Sequence, residues 1–157
     1  MVDPVIDLAR QAAVADELAL LTDELRSLVA NLRAGVMRKC ISNLYYAGLH
    51  AASMLLAAHG LSARTHEGVQ RLFAAHFVRT GELPKSAARD LSVLCGRRQA
   101  ADYQGFVEFD ETEVRETFAR LRPLVEGAVS RVRVSVPEVN FAPFDQAWVA
   151  ITAAFPG

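Results

Sequence analysis

A face of small residues in the middle of the chain dictates what can pack there. The stretch from Ser42 to His66 begins Ser-Asn-Leu-Tyr-Tyr-Ala-Gly-Leu-His-Ala-Ala, continues as an apolar run and closes with Arg64-Thr65-His66. Ala47 with Ala51, and Gly48 with Ala52, are spaced four apart, which on a helix stacks them on one side with little bulk. A second helix backbone can approach that side closely. Tyr45, Tyr46 and His50 lie on or beside it and bring more polar groups than a core helix needs. The stretch predicts the central helix of an all-α bundle whose polar groups require partners, structural or chemical.

The rest of the chain reads as helices around this one. Pro4 suits a first helical turn, and Val14, Leu18, Leu21, Leu25, Leu28 and Leu32 then recur at steps of four and three up to Gly35. Such a seam serves a coiled coil or, in a small domain, packs within the chain. Met37 to His59 is the second helix, stopped by Gly60. Thr65 suits the N-cap of a third, with Val69, Phe73 and Phe77 on its apolar side and Gly81 and Pro84 at its end. Ser86 is the expected cap of the fourth, which carries Ala87, Leu91 and Leu94 to about Tyr103. Asp110 opens the fifth, where Pro123 predicts a kink or local break. The only strand-like alternation is Val132 to Val136, too short to count.

These spacings predict five helices in one bundle over residues 1–136, followed by an apolar segment, 137–157. In that segment Phe144, Trp148, Ile151 and Phe155 repeat at helical spacing after Phe141, with almost no charge to solubilise them. Such a surface is rarely left open to water, so it docks on its own bundle or on a partner.

Composition narrows the functional classes. A chain of 157 residues with 52% apolar and 22% charged residues is one globular domain. A net charge of -1 argues against gripping nucleic acid by total charge, although it leaves room for a local basic patch. Lys39 and Lys85 are the only lysines; the remaining positive charge is arginine, suited to bidentate contacts with phosphate or carboxylate and equally a mark of genome composition. Cys40 and Cys95 lack metal-ligand spacing and read as reduced, buried thiols. Asp3 and Asp7 do not fit a secretory signal, and Tyr45 to Leu61, interrupted by His50, His59 and Gly60, is too short and too polar to span a bilayer. The expectation is a cytoplasmic protein with no membrane association.

The usual catalytic signatures are missing. His50, His59, His66 and His76 form no pair at three- or four-residue spacing, so no metal site is expected, and no phosphate-binding glycine loop or nucleophile-elbow serine occurs. No cofactor is expected either. What remains is Arg97-Arg98-Gln99-Ala100-Ala101-Asp102-Tyr103, which places Arg98 and Asp102 on one helical face with Tyr103 beside them. A surface ion pair accounts for this, yet Arg preceding the acid is the poorer order on a helix, and such pairs contribute only about 0.2–0.5 kcal/mol. Arg71 and His76 form one Arg-x(4)-His spacing, which in a chain this rich in arginine chance produces about once. His50 and His66 have ordinary roles open to them in packing and capping.

Taken together, Ser42 to Ala52, Thr65-His66-Glu67-Gly68-Val69, His76 to Pro84 and Arg98 to Tyr103 resemble, in order and spacing, the prokaryotic HEPN superfamily. The similarity is greatest to its small stand-alone branch, whose central motif reads Ser-Arg-x-Tyr-Tyr-Ala-x-Phe-His-Ala-Ala, and it covers about Leu18 to Val129. The resemblance implies a helical bundle that dimerises and is often encoded beside a minimal nucleotidyltransferase. Members act as RNA-cleaving toxins, defence effectors or non-catalytic binding subunits.

Two positions depart from the family pattern. Asn43 replaces the central Arg, and Asp102 stands where ribonuclease members carry the His of their Arg-x(4–6)-His motif. Metal-independent RNA cleavage needs a base for the 2′-hydroxyl, a cation for the phosphorane and an acid for the leaving oxygen. Histidine, titrating at about pH 6.5, can be base or acid, whereas an aspartate next to two arginines stays ionised and has no proton to give. The resemblance therefore implies a dimer cleft in which Arg98, His50 and Asp102 stand at the catalytic positions and Asn43, Tyr46, Arg97 and Tyr103 contact RNA or a nucleotide. The alternative it implies is a non-catalytic subunit that binds a nucleotide or serves a nucleotidyltransferase partner, with Tyr103 as the tyrosine such a partner would modify.

Overall fold

The computed structural model describes residues 3–156. Helix α1 spans Pro4–Ala34; the Asp3 carboxylate caps it by accepting from the Val5 amide at 2.9 Å, and Gly35 ends it at φ 74°, a left-handed turn that favours glycine. Helix α2 is Met37–Ala58 and stops before Gly60 at φ 72°. Helix α3, His66–Phe73, starts at Thr65, whose hydroxyl accepts from the Gly68 amide at 2.9 Å, and it continues into a π-helical turn over Ala74–Val78. Helix α4 is Lys85–Tyr103 and α5 is Glu111–Ser135, the latter opened by a reciprocal capping box in which Asp110 and Glu113 each bond the other's amide at 2.9 Å. Helix α6 is Ala142–Ala154.

There are thus six helices among the described residues, not five. The sixth is the apolar segment itself. Its Phe144 and Ile151 are buried, it packs along α1, and its aromatic side chains close over α5: Phe155 stacks on Phe118 at 4.7 Å between centroids, and Trp148 lies 5.8 Å from the same ring. Two further local expectations are corrected. The N-cap of α4 is Pro84, with no side-chain cap, so Ser86 lies inside the first turn. Helix α5 runs through Pro123 without a break. The ring sits on the exposed side of the helix, where the carbonyl of Ala119 that loses its partner faces water.

Helix α2 is the axis of the bundle, touching α1, α3, α4 and α5. The α1 seam is spent on it, with Val14, Leu18, Leu21, Leu25 and Leu28 all buried, so the heptad-like spacing is used within the chain. Each such leucine contributes about 1.5–3 kcal/mol. The small side of α2 admits close neighbours as its spacing predicts: a Cβ built on Gly48 would lie 3.0 Å from Leu94 Cδ1 and 3.3 Å from Leu121 Cδ1. Helices α4 and α5 therefore approach α2 together at this one glycine. Among the described residues, no helix is long and apolar enough to cross a membrane.

Candidate functional site

Beyond its first turn α2 is enclosed on most sides, and one stripe of it stays half open, made of Ser42, Asn43, Tyr46, His50 and Ser53 at helical spacing. The C-terminal half of α4 lies along one edge of this stripe and α1 along the other.

The α4 edge holds a cluster around Arg98. Its Nη2 donates to the Tyr46 hydroxyl at 2.8 Å and reaches the Tyr103 hydroxyl at 3.5 Å. The guanidinium carbon lies 5.3 Å from the Tyr103 ring centroid, 5.4 Å from that of Tyr46 and 5.8 Å from that of Tyr45, distances at which the cation is attracted by all three π faces. Nε stands 2.8 Å from Asp102 Oδ2, but its N–H is not aligned for a hydrogen bond, so that contact is Coulombic. The Ser42 hydroxyl donates to the other oxygen of Asp102. Burial opposes the charge on Arg98, while Tyr46, Tyr103 and Asp102 outweigh it and hold its pKa above the ordinary arginine value. The result is a permanent cation wedged among aromatic rings, with Tyr103 above it 73% exposed.

Beneath the cluster, Tyr45 is buried and its hydroxyl lies 3.2 Å from His66 Nδ1. Burial, helped by Cys95, pushes this phenol well above its usual range, although Arg98 pulls the other way; Tyr45 is therefore a neutral phenol. Tyr46 joins the cluster to both histidines: its ring meets His66 edge-on at 5.8 Å and lies nearly parallel to His50 at 6.5 Å.

On the α1 edge, His50 Nδ1 is 2.8 Å from Glu17 Oε2. A carboxylate there favours a proton on Nδ1 and leaves Nε2 with a free lone pair, the arrangement that orients a general base. Asn43 is committed to the same edge. Its amide donates to Glu24 Oε2 and its carbonyl accepts from Asn31, both at 2.8 Å.

The structure thus brings Arg98, Asp102, Tyr46 and Tyr103 into direct contact and places His50 next to them through Tyr46. It does not bring in Arg97, which points to α5 and donates to the buried Thr117 hydroxyl, because adjacent residues on a helix diverge by about 100°. The two guanidinium groups therefore do not form a pair. Asn43 shares the stripe with Tyr46 but turns to α1. Among the described residues, no three His, Cys, Asp or Glu side chains converge as metal ligands.

Sequence reasoning missed two supporting residues. Glu17 had a signal: Glu17, Glu24 and Asn31 recur every seven residues on α1, matching Asn43 and His50 on the antiparallel α2. Arg38 had none. It donates to the main-chain carbonyls of Ala101, Gln104 at 3.2 Å, and Val107, fastening the last turn of α4 and the loop after it, so its partners are backbone oxygens more than sixty residues away. The Ala101 carbonyl is among the acceptors a helix end leaves unpaired, and a cation there also meets the negative end of the dipole.

Two concavities lie to the side of the cluster. A groove of about 470 Å³ runs between α1 and the start of α6 past Leu8, Ala15 and Phe144. One of about 480 Å³, lined by Arg10, Asp16, Ser53, Leu61 and Val69, ends at Glu17.

The model of the HEPN domain family matches residues 22–131, more than two thirds of the chain and every residue of the Arg98 cluster. The chain belongs to the HEPN family. It is 33% identical over 94 residues to a UPF0332 protein of Thermotoga maritima, covering 60% of this chain and 69% of that one. A UPF0332 protein of Pyrococcus horikoshii is 37% identical over 79 residues, 50% of this chain and 56% of its own. A Methanocaldococcus jannaschii protein named as a toxin candidate is 29% identical over 73 residues, 46% of this chain and 50% of its own. The chain spans about half the length of these last two relatives. The HEPN match includes the stripe of α2 and all of α4, but Glu17 and α6 fall outside it.

Proposed function

We propose that this HEPN protein is a toxin-like effector that binds RNA at the Arg98 cluster and cleaves it without a metal ion. The observation that carries the reading is the bond from Arg98 to Tyr46, with Tyr103 exposed above the same guanidinium and the Glu17-oriented His50 beside the same tyrosine. Arg98 supplies a fixed positive charge for a phosphate and for the charge that develops on it. Tyr103 offers a face on which an unpaired base stacks, and Tyr46 contributes its hydroxyl as a hydrogen-bonding group. His50 Nε2 takes the 2′-hydroxyl proton. Asp102 is ion-paired and holds Arg98 in place, so the proton for the leaving oxygen comes from His66 or from a second protomer's His50 in a homodimer cleft. Toxin designations among the relatives agree with this reading.

The test is incubation of the purified protein with structured RNA in EDTA. Cleavage that persists with chelator and is lost in both Arg98→Ala and His50→Ala is the expected result. Absence of cleavage by the wild type at any concentration overturns catalysis.

One observation favours a second reading, a non-catalytic subunit for a nucleotidyltransferase partner. The position held by histidine in ribonuclease members is Asp102, already ion-paired to Arg98, while the neighbouring Tyr103 hydroxyl is accessible. Co-expression with such a partner and intact-mass measurement would then show a nucleotidyl adduct that Tyr103→Phe abolishes.

A further inference from the structure

The positive charge of this protein is sorted. Of its seventeen lysines and arginines, seven sit in ion pairs and three more, Arg38, Arg97 and Arg131, bond carbonyl or hydroxyl oxygens within the chain. The other seven have no such partner among the described residues. Five of those, Arg64, Arg71, Arg79, Lys85 and Arg89, fall within one stretch from the start of α3 to the first turns of α4, and all five are exposed. Only Glu67 and Glu82 oppose them there, because Asp90 is engaged by Arg120. A near-neutral protein thus keeps a strongly positive patch, left free where ten of its other twelve cations are tied down.

Local geometry groups these charges. The π-helical turn inserts an extra residue per turn between Arg71 and Arg79, so their eight-residue spacing keeps both on the side away from the buried Phe73 and Phe77. Helix α3, the π turn and α4 pack on one another. On α4, Lys85 and Arg89 head an exposed stripe that continues through Ser92, Gly96 and Gln99 to Tyr103, with no carboxylate on it. Gly96 is mid-helix, where glycine costs about 1 kcal/mol relative to alanine, and a Cβ there would meet nothing within 4 Å, so packing inside the chain does not explain it. Fourteen residues of helix separate Arg89 from Tyr103, about 21 Å.

From this we infer that the α3–α4 face is a phosphate track that carries single-stranded RNA into the Arg98 cluster. The inference rests on the proposed RNA reading and extends it: the cluster handles the reacting nucleotide, and the patch grips the backbone several nucleotides away. The contacts are electrostatic, so the track adds affinity without sequence preference and loses strength with salt.

The test uses the full chain and a fluorescein-labelled, 2′-O-methylated 20-nucleotide single-stranded RNA, which cannot be cut by attack of its own 2′-oxygen. Anisotropy titrations at several salt concentrations compare the wild type with three variants: the combined Arg71→Ala, Arg79→Ala, Lys85→Ala and Arg89→Ala; Arg98→Ala; and, as a control, Arg115→Ala with Arg122→Ala, two ion-paired arginines of α5. The fourfold variant is expected to bind at least about tenfold more weakly near 0.1 M salt, with a log–log salt slope shallower by about 0.7 per cation removed, while the control stays at wild type. Should the fourfold variant fail to fold by circular dichroism, the Arg71/Arg79 and Lys85/Arg89 pairs are made separately, each expected to give half the slope change. Wild-type affinity in the fourfold variant together with weakened binding in Arg98→Ala overturns the track and leaves the Arg98 reading standing. No binding by the wild type overturns both. A fourfold variant that falls from dimer to monomer in light scattering with affinity per protomer unchanged assigns this face to a second copy of the chain and overturns the track.

Discussion

Single residues carry the chemistry here through what they touch. Arg38 makes no contact with the Arg98 cluster in the described structure, yet it holds the main chain on both sides of Asp102 and Tyr103. Arg38→Ala is expected to cost about 2–3 kcal/mol of stability, since several carbonyls lose a charged donor, and, on the function proposed above, to lower RNA cleavage further than that loss explains; urea denaturation and turnover at a temperature where both proteins are folded separate the two effects. Arg38→Lys recovers part of the stability but less of the activity, because an ammonium cannot fork between the Ala101, Gln104 and Val107 carbonyls. Cys40 is a second case. Fully buried, its thiol is pushed up to about 11 by desolvation, with a backbone hydrogen bond opposing. A raised thiol pKa stabilises the fold while the group is neutral, so that contribution is intact below about pH 9 and is lost as pH rises through 11. The urea midpoint of the wild type should therefore drop more steeply over that range than that of Cys40→Ala, and iodoacetamide at pH 8 should label Cys40 only on unfolding.

At the scale of elements, α2 and α5 are specified most tightly, and by different means. Helix α2 depends on absence of bulk. Gly48→Val places branched carbons against Leu94 and Leu121 and is expected to cost about 2–3 kcal/mol; Gly48→Ala comes out near neutral, because the helix propensity it gains offsets the 3.0 Å contact. Calorimetric melting of both variants checks this ordering. Helix α5 depends on its start. Asp110→Ala removes one half of the capping box and should cost about 1–2 kcal/mol, most of it restored by Asp110→Ser. Its proline is tolerated because it faces water, a property of position that the apolar periodicity around Pro123 already contains once the core side is known.

At the scale of the molecule, α6 decides whether the bundle is closed. Ile151 is fully buried, and the Phe118–Phe155 stack ties the end of the chain to α5. Ile151→Ala is expected to lower stability by about 2–4 kcal/mol. The only tryptophan, Trp148, lies between Phe144 and Phe118, so its emission should shift to the red in the same transition that melts the helices. Two separated transitions would mean that α6 is an independent appendage rather than part of the core.

Much of this was readable from residue order. Apolar spacing located the helices, glycines and caps marked most of their ends, and the small side of α2 announced close packing that Gly48 then displays. The aromatic repeat after Pro137 showed that something must cover it, without showing what; α1 and α5 do. At the site, the Arg98–Asp102 pair is suggested by helical spacing alone, since residues four apart share a face. The Arg98–Tyr46, His50–Glu17 and Arg38–carbonyl contacts do not, because each joins residues dozens of positions apart and depends on how two helices are rotated against one another. The divergence of Arg97 from Arg98 has the same origin. Periodicity determines which side of a helix is wet and which is dry, whereas the choice of partner across an interface is made by the packing of all the helices at once, and only the tertiary structure records that choice.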